Sequence, residues 1–347
     1  MAWATLGGVL LAVEAWALAG WVVSGDASST PTGADPVPGH MKVAIHGAEA
    51  VSVVAFVVFV ALVVVRPWRR EGRITLDGLF CLAFFTVFWQ DTFSNFFQHW
   101  FSYNAEFIDL GSWDSHVPGW LAPHGNLVAA PLFLHLAYVW GIFGAALLGC
   151  VVLRRAKTRW PRLGPAGLMG IAFGFFVVVE GLAEPGMLLS GFATYPGSIR
   201  WLTLFDGHYY QFPINEWLLF ALAWASWCCL RFFRDDHGHT IAERGLERVG
   251  LRGARRTGLR FLALVGATNA AFLVCYSLPN ALFGLYADPW PADVTSRSYF
   301  SYLCGPTTAY SCPGPGVPIP RRGSSHLGPD GRLVPSGGDG EDPAVRQ

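Results

Sequence analysis

Apolar residues recur along the chain in seven long runs, at positions 3–23, 45–65, 76–97, 127–153, 167–190, 213–233 and 259–285. A hydrocarbon core about 30 Å thick needs roughly 20 mostly apolar residues to be crossed by a helix. Each run therefore predicts a transmembrane helix. The second is the clearest: Ser52 alone interrupts 51–65. The first lacks a basic leading region and an obvious small-residue cleavage site, and it contains Glu14. It reads as a helix rather than a signal peptide. The expected fold is all-α: a polytopic transmembrane bundle of about seven helices in a domain spanning 1–304. A Pro/Gly-rich tail, 305–347, is expected to be disordered. No internal repeat suggests inverted transporter halves.

Composition supports this reading. Of 347 residues, 52% are apolar and 14% charged, whereas soluble domains run near 25% charged. The formal net charge is zero, which gives no global attraction for nucleic acid. The seven cysteines are too few and too spread for a disulfide scaffold. Only Lys42 and Lys157 among the 24 basic residues are lysines, a bias pointing to a GC-rich bacterial genome.

The charges set a direction. Arg66, Arg69, Arg70 and Arg73 follow the second run, and Arg154, Arg155, Lys157, Arg159 and Arg162 follow the fourth. Arg231, Arg234, Arg244, Arg248, Arg252, Arg255, Arg256 and Arg260 bracket the loop after the sixth. The positive-inside rule places these three loops in the cytoplasm, with the N-terminus inside and the C-terminus outside. Within the last loop, 242–249 is expected to form a short amphipathic surface helix. His237 and His239 in that loop read as incidental. Cys304 and Cys312 fall on the outer side, where a disulfide is chemically possible. The other five cysteines lie in helical runs and read as small buried apolar residues.

Ionisable residues inside a membrane are costly and are functional candidates by default. Here they gather at the outer helix ends: His46 and Glu49, then Asp91, Asn95 and His99, then His135, Glu180, Glu184, Asn215 and Glu216. Glu14 and Asn269 alone sit nearer the midplane and read as interhelical polar contacts. His135 reads as a hydrogen-bonded core histidine. In a helix Asp91, Asn95 and His99 share one face, and Glu180 and Glu184 stand one turn apart. Two such carboxylates in a poorly hydrated site cannot both ionise cheaply, so one is expected to hold a proton and serve as a general acid. Pro185 directly after Glu184 is expected to kink or break its helix.

The outer loop 98–126 is long, carries no lysine or arginine, and holds Trp100, Phe101, Tyr103, Phe107, Trp113 and Trp120. Such loops are more often lids than passive connectors. A second outer loop adds Tyr195, Trp201, Tyr209 and Tyr210, so the two together are expected to roof a pocket. No HExxH, GxSxG, phosphate-gripping glycine loop or closely spaced histidine box is present. That leaves cofactor-independent acid/base chemistry, or binding and transport.

Tyr103 and Asn104, Gly111, Ser112 and Trp113, and Pro118, Gly119 and Trp120 follow the segment bearing Asp91 and Asn95. This pattern resembles the AveC-like spirocyclase family of actinobacterial integral membrane proteins. The resemblance implies a role in spiroketal formation on a polyketide, with an accompanying dehydration. It carries over no catalytic set. The residues themselves suggest Glu180 or Glu184 as acid and Asp91 or His99 as base. Glu49, Asn95, Tyr103, Asn104, Trp113, Trp120 and Glu216 are expected to contact a hydrophobic small-molecule substrate, with membrane lipid as the other partner. The competing readings are a non-catalytic lipid or polyketide carrier and a sterol-isomerase-like protein.

Overall fold

The computed structural model describes residues 1–304 and the paired dipeptides His326–Leu327 and Leu333–Val334. The chain is mostly helical, and five helices are long and apolar enough to cross a membrane. They are α1 (Ala2–Ser24), α2 (Gly39–Glu71), α4 (Leu132–Arg159), α5 (Pro165–Leu189) and α7 (Gly253–Gly284). Between them lie α3 (Leu76–Phe84) and α6 (Ile214–Phe232). The seven expected runs thus contain five helices with full membrane-crossing character. α6 has 19 residues, but Asn215, Glu216, Arg231 and three tryptophans make it less apolar than the others.

The third run departs most from expectation. Thr75 caps α3 by accepting from the backbone N–H of Gly78. The helix then ends after nine residues. The Thr86 hydroxyl takes the Ala83 carbonyl at 2.8 Å, and the backbone tightens into i→i+3 bonds. A 3₁₀ segment, Phe88–Asn95, follows. This stretch is rich in aromatic residues, which lose side-chain freedom in an α-helix. Its polar side chains find partners elsewhere. Asn269 Oδ1 accepts from Trp89 Nε1 (3.1 Å) and Gln90 Nε2 (2.5 Å), while its amide donates to Thr86 Oγ1 (2.9 Å). Asn269 is therefore an interhelical polar contact, as expected.

The outside of the bundle is greasy. α2 exposes Val43, Val51, Val53, Val54, Val57, Val58 and Leu62, and α1 exposes Val9, Trp16, Val22 and Val23. A continuous apolar surface of this extent suits lipid contact and is foreign to a soluble monomer. α1 packs on α7 through two glycines. A side-chain carbon at Gly7 would lie 1.9 Å from the Leu262 carbonyl oxygen, and one at Gly266 would lie 2.1 Å from that of Trp3. Backbones meet there, as small residues allow between membrane helices.

One end of the bundle is closed by its connections. The loop that includes Trp100–Asp114 is largely buried rather than floating above the helices. Its strand β1 (Ser102–Tyr103) pairs antiparallel with β2 (Ala193–Thr194), Ser102 facing Thr194. A second ladder joins β3 (Thr203–Leu204) to β4 (Phe212–Pro213), just before α6. Asp109 accepts from the backbone and hydroxyl of Thr30, tying in the segment after α1. Ser102, Tyr103 and Ala105 bond to Phe300, Tyr302 and Tyr299, tying in the segment after α7. Cys304 is disulfide-bonded; Cys312 and most of the expected tail lie outside the described residues. At the other end, the expected surface helix at 242–249 is absent. Turns fill most of it, with one 3₁₀ segment, Leu246–Val249.

Candidate functional site

Beneath this cap, four carboxylates and four tyrosines come together from seven parts of the chain. Glu180 and Glu184 lie one turn apart near the end of α5, and Glu216 lies in the first turn of α6. Asp91 comes from the 3₁₀ segment. All four are buried, with Glu184 the most exposed at 8%. Tyr103 donates to Asp91 Oδ2 at 2.5 Å, and Tyr138 donates to Asp91 Oδ1. Tyr195, directly after β2, donates to Glu184 Oε1 at 2.8 Å. Tyr276 lies 3.5 Å from Glu216 Oε1. Glu184 is within electrostatic range of Glu180, Asp91 and Glu216, which makes this one cluster rather than separate pairs.

Local backbone aims these groups. Tyr138 opens a π-helical turn, Tyr138–Ile142, inside α4, and Tyr276 lies in another, Leu273–Ser277, inside α7. Such single-turn bulges rotate the side chains that follow and are frequent at functional sites. α5 runs on through Pro185 to Leu189, so the expected break at the carboxylate pair does not occur. Glu180 and Glu184 therefore keep helical spacing. Gly181, between them, admits the Trp217 ring, which a side-chain carbon would approach to 2.6 Å. The Trp217 indole donates to the Val177 carbonyl at 2.7 Å and locks α6 to α5. Aromatic rings form the wall: Tyr195 meets Trp100 and Phe101 at ring-centre distances of 5.3 and 4.9 Å, and Phe101 meets Tyr103 at 4.6 Å.

Glu216 leaves one oxygen, Oε2, buried with no hydrogen-bond partner among the described residues. Beside it in sequence, the Asn215 amide donates to Asn280 Oδ1 at 3.0 Å, and the Asn280 amide nitrogen has no partner among the described residues. Neither arginine nor lysine pairs with the four carboxylates among the described residues. Tyrosine hydroxyls are the hydrogen-bond partners of Asp91, Glu184 and Glu216.

Several expected site residues lie elsewhere. Asp91, Asn95 and His99 do not share a face, because the chain is 3₁₀ at Asp91 and has left the helix by His99. His99 is buried with Nε2 donating to the Pro123 carbonyl at 2.6 Å. Burial outweighs that bond and lowers its pKa to about 4, so the ring is neutral at physiological pH. It makes no hydrogen bond to the carboxylates among the described residues. Asn95 is fully engaged with backbone: its amide donates to the Phe101 carbonyl, and its oxygen accepts from the N–H groups of Trp100 and Phe101. It shapes the turn that delivers Tyr103. Asn104 bonds to the Gly191 carbonyl and the Glu106 N–H.

Trp113 donates to the Trp89 carbonyl and packs edge-on against Trp21 and Phe88. Trp120 packs on Phe93 and Phe96 at the rim. Glu49 accepts from the Ile108 N–H at 2.7 Å and from His46 at 2.9 Å. It fastens the loop to α2. His135 packs beside Phe88 as a core ring.

Sequence reading passed over Tyr138, Tyr276 and Asp114. Asp114 is fully buried, accepts from Thr92 at 2.7 Å, and leaves Oδ2 unpartnered among the described residues. Burial raises its pKa to about 8. Its position in the same cap segment as Gly111, Ser112 and Trp113 was the available signal.

Comparison with known proteins agrees with the motif at 103–120. No curated protein and no solved structure matches the chain. A family model described as spirocyclase AveC-like matches residues 68–300, from the end of α2 through the cap to the segment after α7. That stretch contains every carboxylate and tyrosine of the buried cluster, and the chain belongs to the AveC-like spirocyclase family.

Proposed function

We propose that the protein is a membrane-embedded spirocyclase and dehydratase that acts by acid/base catalysis on a polyketide- or lipid-like substrate. Spiroketal closure begins when a substrate hydroxyl adds to a ketone and passes its proton to the carbonyl oxygen. Protonation of the resulting hemiketal hydroxyl expels water. A second hydroxyl then bonds to the oxocarbenium carbon and gives up its proton. The net change is the loss of one water, with no electron transfer. The reaction asks for a proton donor, a proton acceptor and a wall that selects one face.

Glu180 and Glu184 take the donor role, with Tyr195 holding Glu184 in place. Glu216, with its unpartnered oxygen, is the acceptor best able to take a new proton. Asp91 acts through Tyr103 and Tyr138, because both its oxygens are already engaged. Trp100, Phe101 and Tyr195 form the apolar wall. Family membership gives this reading its reaction class, and the gathering of four carboxylates and four tyrosines under one cap carries the chemistry. The five long apolar helices suit a place in the bacterial cell membrane. The arginine-rich end then faces the cytoplasm, and the cluster lies toward the outer leaflet.

The test is the product profile of cells carrying Glu180→Gln or Glu184→Gln. Each is expected to lose product about 100-fold or more, the usual weight of a general acid. Full yield and unchanged stereochemistry in both would refute the assignment. One observation favours a second reading, a non-catalytic carrier: both Asp91 oxygens are occupied and the cluster is closed from solvent. A carrier would release its substrate chemically unchanged.

A further inference from the structure

At the end of the bundle away from the carboxylates, a cavity of about 900 Å³ opens between the ends of α2, α6 and α7 and the start of α3. Five arginines line it, Arg73, Arg231, Arg234, Arg256 and Arg260, together with His237 and His239, against only Glu71 and Asp77. Three of the arginines pair with carboxylates, Arg73 with Glu71 at 3.1 Å. Arg231 makes a two-pronged pair with Asp77, its Nη2 at 2.9 Å. Arg260 bonds to Glu243 at 2.7 Å, and Glu243 is itself buried and held by Thr240. Arg234 and Arg256 have no carboxylate partner among the described residues. Arg234 sits close enough to Arg231 for the two to repel.

The other wall is apolar. Leu62, Val63 and Leu147 line the same cavity, and Leu62 also faces the outer surface of α2. Trp68, at the end of α2, is exposed beside it, where tryptophan anchors a helix at the membrane interface. The cavity thus runs from a lipid-facing helix surface to a ring of guanidinium groups. Phosphate oxygens match the arginine fork, and basic pockets between membrane helices are suited to anionic head groups.

The geometry points to this cavity as a binding site for an anionic phospholipid, its phosphate held by Arg234 and Arg256 and its acyl chains laid along Leu62, Val63 and Leu147. A soluble phosphate would have no use for the apolar wall, so the lipid is the occupant. The site is distinct from the carboxylate cluster and does not depend on the reaction assigned to it.

The experiment uses the purified full chain, stripped of lipid in a neutral detergent. Melting temperature is followed as phosphatidylglycerol, phosphatidylcholine or inorganic phosphate is added. Phosphatidylglycerol at saturation should raise it by about 5 °C, the shift expected when ligand exceeds its Kd roughly 100-fold. Phosphatidylcholine and inorganic phosphate should leave it within about 1 °C on the same scale. The double variant Arg234→Gln/Arg256→Gln should lose the phosphatidylglycerol shift, while Arg69→Gln/Arg70→Gln, outside the cavity, should keep it. Both replaced pairs are exposed, so folding survives. An equal shift from phosphatidylcholine or phosphate, or an undiminished shift in the cavity variant, would overturn the assignment.

Discussion

The two ends of the bundle handle charge in opposite ways. Under the cap, four carboxylates are buried without a cation partner among the described residues, and tyrosine hydroxyls hold three of them. At the far end, arginines outnumber carboxylates, are braced by Asp77 and Glu243, and border an open cavity. A buried charge is expensive unless it is paired or neutralised. The arginine end meets that cost with carboxylates. The carboxylate end has no cation partner among the described residues, and in the function proposed above it is the end where protons move. A structural role would be served better by apolar residues of similar volume.

The largest test of this contrast is catalytic. Glu184→Gln keeps the shape but not the ionisable group, and product yield should fall about 100-fold. Tyr195→Phe, which removes only the hydrogen bond to Glu184, should cost less, about 10-fold, corresponding to roughly 1.4 kcal/mol. Equal losses would mean that positioning, rather than proton transfer, is the function of the pair.

A second test falls on the arginine end. Arg231→Gln breaks the two-pronged bond to Asp77 and should lower stability by about 1–2 kcal/mol, moderated by partial exposure. Yield per folded molecule should not change. A loss of turnover matching that of Glu184→Gln would erase the distinction between the ends.

The third test is pH. The Asp114 pKa is raised by burial from 3.8 to about 8. The folded state therefore holds a proton that the unfolded chain has lost, and between about pH 4 and 8 stability falls as pH rises. Asp114→Asn should flatten that slope in a melting-temperature series. The His99 pKa, lowered from 6.5 to about 4, acts in the opposite sense. The unfolded chain holds the extra proton there, so stability rises with pH from about 4 to 6.5, and His99→Gln should weaken that rise. An unchanged pH profile in both variants would refute the buried electrostatics of the cap. The smallest effect belongs to Arg69→Gln/Arg70→Gln, which should alter stability by less than about 0.5 kcal/mol.

Much of this was legible in the sequence. Long apolar runs gave the five strongest helices, because helix length in a bilayer is set by thickness alone. The motif at 103–120 pointed to the family. The third run misled because hydropathy registers apolar content but not backbone geometry. Its aromatic residues are apolar enough for a helix, yet Thr86 and Asn269 draw the chain into a 3₁₀ path. That change of period separated His99 from Asp91. The helix of Glu180 and Glu184 was read correctly in spacing and wrongly at Pro185. Tyr138 and Tyr276 were the least visible. In a membrane sequence a tyrosine usually marks the interface, and the π-helical turns that aim Tyr138 and Tyr276 inward leave no trace in the hydrophobic pattern.

The ladder between β1 and β2 is two residues long. Tyr103 ends one strand and Tyr195 directly follows the other, and each holds a different carboxylate. The two hydroxyls therefore behave like teeth on one comb. An insertion or deletion in either connection would slide both at once, so Asp91 and Glu184 cannot be retuned separately. Relatives that process differently shaped substrates would have to vary both loops in concert, or leave this ladder untouched and recut the aromatic lining instead.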